Sequence, residues 1–338
     1  MVYGAIDLHT RHSEIRIVDG EGRVIRERRI VTTAERLITM FAAVGPIRIL
    51  LEAGTESEWV ARVLEEAGYE VIVADPNYAP MYGERCRRVK TDRRDVAALA
   101  EANRQGWFRR AYRRSAPQRA IQQQLASRRA LVQMRTGAIS VLRSVVRQEG
   151  YRVARGPSDS VPARLAALAL PAAVQARLAP LCRTVEYLSA EIAALDRALA
   201  AQAAADPVVA RLRSVPGVGV IVGSMFRAFI DDIARFGRAA HVSAAIGLVP
   251  REHSSAERRH RGHLTKAGPS DLRSLLVQAA WACWRSKGNG TLRAWVEAVA
   301  RRRGRRIAVV ALARRLSRIL FAIWRDGTVF QPAVLAAA

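Results

Sequence analysis

The sequence predicts an α/β domain at the N-terminal end of the chain and a mostly helical remainder. Over about the first hundred residues, short apolar segments alternate with amphipathic ones. Two stretches between residues 117 and 199 then repeat their apolar side chains at helical spacing, with no strand pattern. Hydrophobic residues make up 50% of the 338, so each part has enough apolar side chains for its own core.

The N-terminal elements predict a specific strand order. In chain order they are strands at 3–7, 13–18 and 24–31, a helix reaching Val44, a strand at 47–51, a helix at 56–66, a strand at 70–74 and a helix at 92–104. The order β-β-β-α-β-α-β is typical of the ribonuclease H-like fold, in which the fourth strand lies beside the first. It differs from the strict β-α-β alternation of a dinucleotide-binding domain.

The middle of the chain predicts two long helices. The first spans 117–148, and the second carries a heptad seam over 178–199, with Pro180 expected near its start. The two helices either pair with each other as a hairpin or form a coiled coil with a second chain, and the seam is compatible with both. The predicted domains are a ribonuclease H-like domain at 1–112, a long-helix coiled-coil region at 113–205 and a mostly helical C-terminal domain at 206–338.

The charge of the chain restricts its partners. With 55 Lys and Arg against 30 Asp and Glu, the net charge of +25 suits a polyanion, with nucleic acid the first candidate and an anionic membrane surface the second. No apolar run is long enough to span a bilayer, because Arg314, Arg315 and Arg318 interrupt the last one. The start of the chain lacks the features of a signal peptide, and three distant cysteines favour neither disulfides nor structural zinc. The sequence therefore predicts a cytoplasmic protein without a membrane partner.

Three segments in the last third are candidate nucleic-acid contacts. The turn at 216–219, Pro-Gly-Val-Gly, is of the kind that presents backbone amides to phosphate in helix-hairpin-helix elements, although many such turns are turns only. The stretch 251–266 is polar and basic without periodicity, which predicts an irregular loop, and its three histidines suit phosphate contact or solvation better than a metal. The cluster 301–306 is dense in arginine. The candidate residues are Gly217, Gly219, Arg251, Arg258, Arg259, Arg261, Lys266, Arg301, Arg302, Arg303, Arg305 and Arg306.

Four acids stand where they can converge on a metal. Asp7 ends the first strand and Glu52 ends the fourth, while Asp92 and Asp95 lie three apart at the start of a helix, on one side of it. Clustered carboxylates repel one another unless a cation or a proton is shared, and hard oxygen ligands suit Mg²⁺ or Mn²⁺. A pair of such ions can activate an attacking oxygen and stabilise a leaving one at a phosphodiester. Taken singly, each acid also fits a loop position or the positive end of a helix dipole.

Together these motifs resemble the insertion-sequence 110 family of transposases, also called DEDD transposases, over nearly the whole chain. The resemblance rests on Ile6-Asp7, Leu51–Thr55, Lys90–Asp95, Val215–Gly219, Gly247–Pro250, Ser254-Ser255 and Thr265–Gly268. It implies a ribonuclease H-like domain of the Holliday-junction-resolvase type, joined through a coiled coil to a C-terminal transposase domain. It also implies that the four acids bind metal, that Ser255 is the nucleophile and that a bridge RNA guides the exchange of target and donor DNA.

The residues by themselves say less about Ser255. A serine hydroxyl is a weak nucleophile unless a base or a metal activates it, and no base with an orienting partner stands beside it in the sequence. Ala256 follows Ser255 where the family usually has glycine, and a second serine, Ser254, precedes it. The sequence therefore leaves open which serine attacks, although alignment to the family pattern favours Ser255.

The sequence is therefore interpreted as a transposase that cuts and rejoins DNA with a composite metal and serine site. We expect a homo-oligomer, a dimer or tetramer, whose site is completed either within one chain or between subunits. The alternatives are a junction-resolvase-like endonuclease without a covalent serine step and a non-catalytic nucleic-acid scaffold. A sugar-kinase-like phosphotransferase is disfavoured, because no glycine-rich turn follows Asp7.

Overall fold

The computed structural model describes residues 1–42, 44–78, 81, 91–255, 258–286 and 290–332, with the backbone alone at 253–255 and 258–261. Its contacts divide the chain into two compact units, 1–113 and 114–338. The long middle helices and the C-terminal helices belong to the same unit. The further division of that unit into a coiled-coil region and a C-terminal domain stays a prediction.

The first unit is built on a five-stranded mixed sheet. Its strands are β1 (Val2–Asp7), β2 (His12–Val18), β3 (Val24–Val31), β4 (Ile47–Glu52) and β5 (Glu70–Ala74). They lie in the order β3-β2-β1-β4-β5, with β1, β4 and β5 parallel and the meander β1-β2-β3 antiparallel. The predicted element order and the predicted pairing of the first and fourth strands are confirmed.

Helices cover both faces of this sheet. Helices α1 (Ala34–Phe41) and α2 (Ser57–Glu66) pack on one face and α3 (Asp92–Gln105) on the other. Strand β4 makes the two-sided burial visible, since Ile49 and Leu51 belong to the core under α1 and α2, whereas Leu50 belongs to the core under α3. A strand buried on both sides reads as a continuous apolar run, as this one does.

The second unit begins with two long helices that pack against each other within the chain. They are α4 (Ala116–Gln148) and α6 (Ala172–Ala205), linked through a short helix, α5 (Val161–Ala166). Arg135 Nη1 donates to Ser189 Oγ at 3.1 Å, and Arg177 Nη2 donates to Glu149 Oε1 at 3.0 Å. From Arg135 to Glu149 along the first helix, the partner residue moves back along the second helix from Ser189 to Arg177, so the two helices are antiparallel. Of the two arrangements left open by the sequence, the chain adopts the intramolecular hairpin.

The expected position of Pro180 is wrong. Helix α6 begins at Ala172, so Pro180 lies inside it rather than near its start. Proline removes a backbone donor from the helical ladder, which costs about 3 kcal/mol in a helix interior. Here Pro180 faces solvent, while Leu178 and Val185 on either side are buried in the hairpin core. Packing of the apolar seam therefore keeps the helix continuous at the proline.

In its described residues, the rest of the second unit forms helices and one strand hairpin. Its helices are α7 (Pro207–Leu212), α8 (Val220–Ile230), α9 (Ala239–Ala245), α10 (Ser270–Arg285), α11 (Gly290–Arg303) and α12 (Arg305–Asp326). They enclose a core that includes Phe226, Leu276 and Leu316. Among the described residues, no helix is long and apolar enough to cross a membrane. Location in the cytoplasm stays a prediction.

The polar stretch 251–266 is not the irregular loop that the sequence predicted. It forms an antiparallel hairpin of β6 (Pro250–Ser255) and β7 (Arg258–Leu264). Glu252 pairs with Arg261 and His253 with His260 in the register. Pairing of backbone groups holds such a ribbon, so it needs no apolar alternation in the sequence.

Candidate metal centre

Two predicted site residues lie at neighbouring strand ends of the first unit. In the parallel pair of β1 and β4, Ile6 stands opposite Leu51, so Asp7 and Glu52 are the next residues on adjacent strands. Both line a cleft of about 250 Å³ whose other walls are the loops that follow the two strands. This edge of the sheet is where the carboxyl ends of parallel strands deliver polar groups in open α/β folds.

Helix α3 brings a third carboxylate to Asp7. His9 Nε2 lies 3.5 Å from Asp7 Oδ2 and 3.8 Å from Asp92 Oδ1. One ligand atom from each of these three residues falls within 4.8 Å of the other two, so together they could hold a metal ion. Two carboxylate oxygens and an imidazole nitrogen suit a divalent metal such as Mn²⁺, and the oxygens suit Mg²⁺.

The electrostatics of Asp7 also fit a cation. Burial raises the pKa of the Asp7 carboxyl, and the negative charges of Asp95, Asp92 and Glu52 raise the pKa further, while His9 acts against them. A carboxylate surrounded by three others is destabilised in its charged form unless positive charge is supplied. The residues present therefore match a divalent cation in both ligand chemistry and charge.

The four predicted acids do not contribute equally to this geometry. Asp7 and Asp92 meet directly at His9, and Glu52 lines the same cleft as Asp7. Asp95 lies within α3 and is only 4% exposed. It influences Asp7 through its charge. The assignment of all four as metal ligands stays a prediction.

His9 is the member of this cluster that sequence reasoning missed. It follows Asp7 by two residues, in the loop after β1, and its side chain is 54% exposed. The available signal was an imidazole two residues after a strand-end acid.

Helix α3 is fixed to the sheet by a buried amide that the sequence did not reveal. Asn103 is fully buried, and its Nδ2 donates to the carbonyl oxygens of Gly4 on β1 and Arg48 on β4, each at 2.8 Å. Its Oδ1 accepts from Arg48 Nε at 2.9 Å. At the start of the helix, Thr91 caps α3 by accepting from Arg94 N, and Arg93 pairs with a carboxylate of β3. These contacts set the position of α3, and so of Asp92, relative to both acid-bearing strands.

The glycines of the predicted phosphate-binding turn have different surroundings. Gly217 has φ of +85°, and a Cβ there would overlap the backbone of α10 at Ala279 and Cys283. Gly219 precedes α8, is exposed, and has open space at its Cβ position. Close packing thus accounts for glycine at 217, and phosphate contact by the turn stays a prediction.

The remaining candidates lie in the second unit. Ser255 is the last residue of β6 and pairs in register with Arg258, while the side chains of Ser254, Ser255, Arg258, Arg259 and Arg261 lie outside the described atoms. Arg251 and Lys266, at the ends of the hairpin, are exposed. The cluster 301–306 spans the junction of α11 and α12 and is exposed throughout, with the Arg305 guanidinium 5.9 Å from the centre of the Trp284 ring.

Comparison with known proteins gives matches along most of the chain. Residues 5–150 match a family model described as Transposase, of the IS110 DEDD type, and residues 209–295 match one described as Transposase IS116/IS110/IS902 family. The transposase for insertion sequence element IS1111A of Coxiella burnetii is 30% identical over 90% of this chain and 85% of its own length. A Pseudomonas aeruginosa protein named "Probable family 20 transposase" is 29% identical over 97% of this chain and 98% of its own. The transposase for IS1328 of Yersinia enterocolitica is 26% identical over 96% and 97%.

The fold, the acidic strand ends and these matches define an enzyme class, the transposases, which cut and rejoin DNA. Within that class, the chain belongs to the IS110 family. The family implies DNA as the partner and a divalent metal as the cofactor, and the cluster of Asp7, His9 and Asp92 offers a place for that metal.

Proposed function

We propose that this transposase recombines DNA with a Mg²⁺ or Mn²⁺ site on a ribonuclease H-like first unit and a serine nucleophile on the second. The observation that carries the metal half is the meeting of Asp7 and Asp92 at His9, with Glu52 and Asp95 adding negative charge. When bound, the cation would offset the negative charge that develops on the phosphodiester oxygens. The acids would hold it in place, since Asn103 ties together the two strands and the helix that carry them.

In this proposal Ser255 attacks the DNA phosphate. Its hydroxyl oxygen forms a bond to phosphorus while the bond to the 3′ oxygen breaks; the serine proton passes to solvent, and the 3′ oxygen takes up a proton from solvent. Support comes from the family resemblance and from the position of Ser255 at the end of β6, in register with the cationic Arg258. Ser254, one residue earlier, is the competing nucleophile.

The proposal extends to the partners. The net charge of +25 and the exposed arginines at 301–306 favour binding to phosphate backbones of both target and donor DNA and of a structured guide RNA that supplies sequence choice. A homo-oligomer, dimer or tetramer, would allow a serine of one subunit to act with the acids of the same or another subunit. Mixing Asp7→Asn and Ser255→Ala chains tests this, because recovered activity in the mixture requires completion between subunits.

Two variants test the metal half of the site. Asp7→Asn should lower metal-dependent cleavage of DNA by about a hundredfold or more, since loss of mere supporting partners of a metal ligand costs 10–100-fold. Asp75→Asn is the matched control, because Asp75 also follows a strand of this sheet but is engaged by Arg109 at 2.6 Å. Cleavage that survives Asp7→Asn, with the control also active, would refute the metal assignment.

The serine half has its own control pair. Ser255→Ala should abolish strand exchange and the covalent protein–DNA adduct while DNA binding persists, and Ser254→Ala should retain both. If neither serine is needed but Asp7 is, the enzyme acts as a junction-resolvase-like endonuclease. Cleavage that requires none of these residues would refute the proposed site, whereas a chain that binds DNA and cleaves none would support the scaffold alternative.

A further inference from the structure

The far end of the helical hairpin forms a second basic groove, apart from the segments singled out in the sequence. The groove has a volume of about 690 Å³ and lies where α4 ends and the chain turns toward α5. Four arginines line it, together with Tyr151 and backbone of the connecting segment; they are Arg143, Arg147, Arg152 and Arg155.

The segment that carries two of these arginines is held in place by the hairpin. Helix α4 ends at Gln148, Gly150 follows with φ of +82°, and Tyr151 N then bonds back to Val146 O at 3.0 Å. The Tyr151 hydroxyl donates to Ala169 O at 3.1 Å, and Val153 packs against the hairpin core. Arg164 Nη1 donates to Ala154 O at 2.5 Å, which anchors the segment to α5.

The anchored segment buries some of its side chains and exposes others. Tyr151 and Val153 are partly buried in the core, whereas Arg152 and Arg155 are exposed. The groove is therefore a preformed surface that points guanidinium groups at solvent. Preorganised donors lose less conformational entropy on binding than those of a free loop.

The charge of the groove is not balanced by nearby acids. Within the described part of the chain, no carboxylate lies within 4 Å of any of its four guanidinium groups. The neighbouring acid, Glu149, is engaged by Arg177 at 3.0 Å. Elsewhere arginines commonly pair within their unit, as Arg128 does with Asp196 at 2.5 Å. Like charges held together without counter-charges favour a polyanionic ligand.

We propose that this groove binds the phosphodiester backbone of a duplex nucleic acid. Arginine donors match phosphate oxygens in geometry and charge. A duplex is favoured over a single strand because single-strand sites use exposed aromatic faces for base stacking. Among the described residues that line this groove, Tyr151 is the one aromatic, and it is partly buried in the hairpin core. The inference requires the chain to act on nucleic acid but is independent of the metal and serine assignments.

The test compares two double variants of equal charge. Arg152→Gln with Arg155→Gln removes two groove cations, and Arg36→Gln with Arg197→Gln removes two exposed cations from α1 and α6. Binding of the full-length chain to a 30-base-pair DNA duplex and to an RNA duplex of the same sequence is measured by fluorescence anisotropy, in EDTA, as a function of salt. The EDTA excludes cleavage, so failure of the metal proposal would not affect this readout.

We expect the groove variant to bind at least one duplex about fivefold more weakly or worse at low salt. The slope of log K against log salt should fall by about two, one for each phosphate that the variant no longer neutralises. The control pair should leave both quantities near those of the unaltered chain. The duplex that is affected identifies the ligand as DNA or RNA. Unchanged slopes for both duplexes, or equal weakening in the two double variants, would overturn the proposal.

Discussion

The close approach of Gly217 to α10 makes a sharp prediction about stability. In Gly217→Ala, the new methyl group would overlap the carbonyl oxygen of Ala279 and lie 2.7 Å from the backbone nitrogen of Cys283, and φ of +85° would be strained for alanine. The left-handed conformation costs about 1–2 kcal/mol for a residue with a Cβ. Forcing a methyl group into a packed interface adds about 1–3 kcal/mol. The expected loss is therefore about 2–5 kcal/mol.

Gly219→Ala is the matched control two residues away. Gly219 has φ of −91° and nothing within 4 Å of its Cβ position, so this substitution should change stability by no more than about 0.5 kcal/mol. Thermal unfolding followed by circular dichroism measures both, and the Gly217 variant should melt about 4–20 °C lower, at roughly 2–4 °C per kcal/mol for a unit of this size. Equal melting temperatures for the two variants would refute the argument from close packing.

Three further outcomes follow from the described contacts. Asn103→Ala should destabilise the chain by about 2–4 kcal/mol, because two buried carbonyls lose their donor. The same variant should bind Mn²⁺ more weakly in calorimetry, and unaltered metal affinity would contradict the positioning role of Asn103. Leu142→Ala should lower the free energy of unfolding in urea by about 2–5 kcal/mol, because Leu142 is fully buried. Val141→Ala is the control, and should lower it little, because the Val141 side chain is 50% exposed. Similar losses in the two variants would contradict the hairpin packing. Burial raises the pKa of the Cys283 thiol to about 11. In a variant that keeps only this cysteine, maleimide labelling at pH 8 should therefore be slow until urea is added. Fast labelling of the folded chain would show that the thiol is accessible.

The sheet and its acidic edge were predictable because both depend on regular spacing. Apolar runs such as Ile47–Leu51 identify buried strands, and strand order follows from the short connections between them. Once β1 and β4 are neighbours, Asp7 and Glu52 must lie at the same edge. The start of α3 was equally readable, since Thr91 is a strong N-cap residue.

Other features were hidden because they depend on partners distant in sequence. Nothing local to Asn103 indicates that it bonds to carbonyls 55 and 99 residues away. The hairpin of β6 and β7 has no apolar alternation, so its polar residues read as a loop. Pro180 was placed at a helix start because its intrinsic cost is large, whereas tertiary packing of α6 overrides that cost.

The parallel pairing of β1 and β4 also determines where this enzyme can tolerate changes in length. Asp7 and Glu52 lie side by side only because Ile6 is in register with Leu51. A shift of one strand by one residue would turn its side chains to the opposite face of the sheet. An insertion within either strand would therefore separate the acids, although neither acid is altered. Extra residues at the exposed tip of the turn, Gly20 and Glu21, would leave them together, because that turn lies outside the pairing of β1 with β4. Longer loops away from this acidic edge should therefore be tolerated more readily than longer strands.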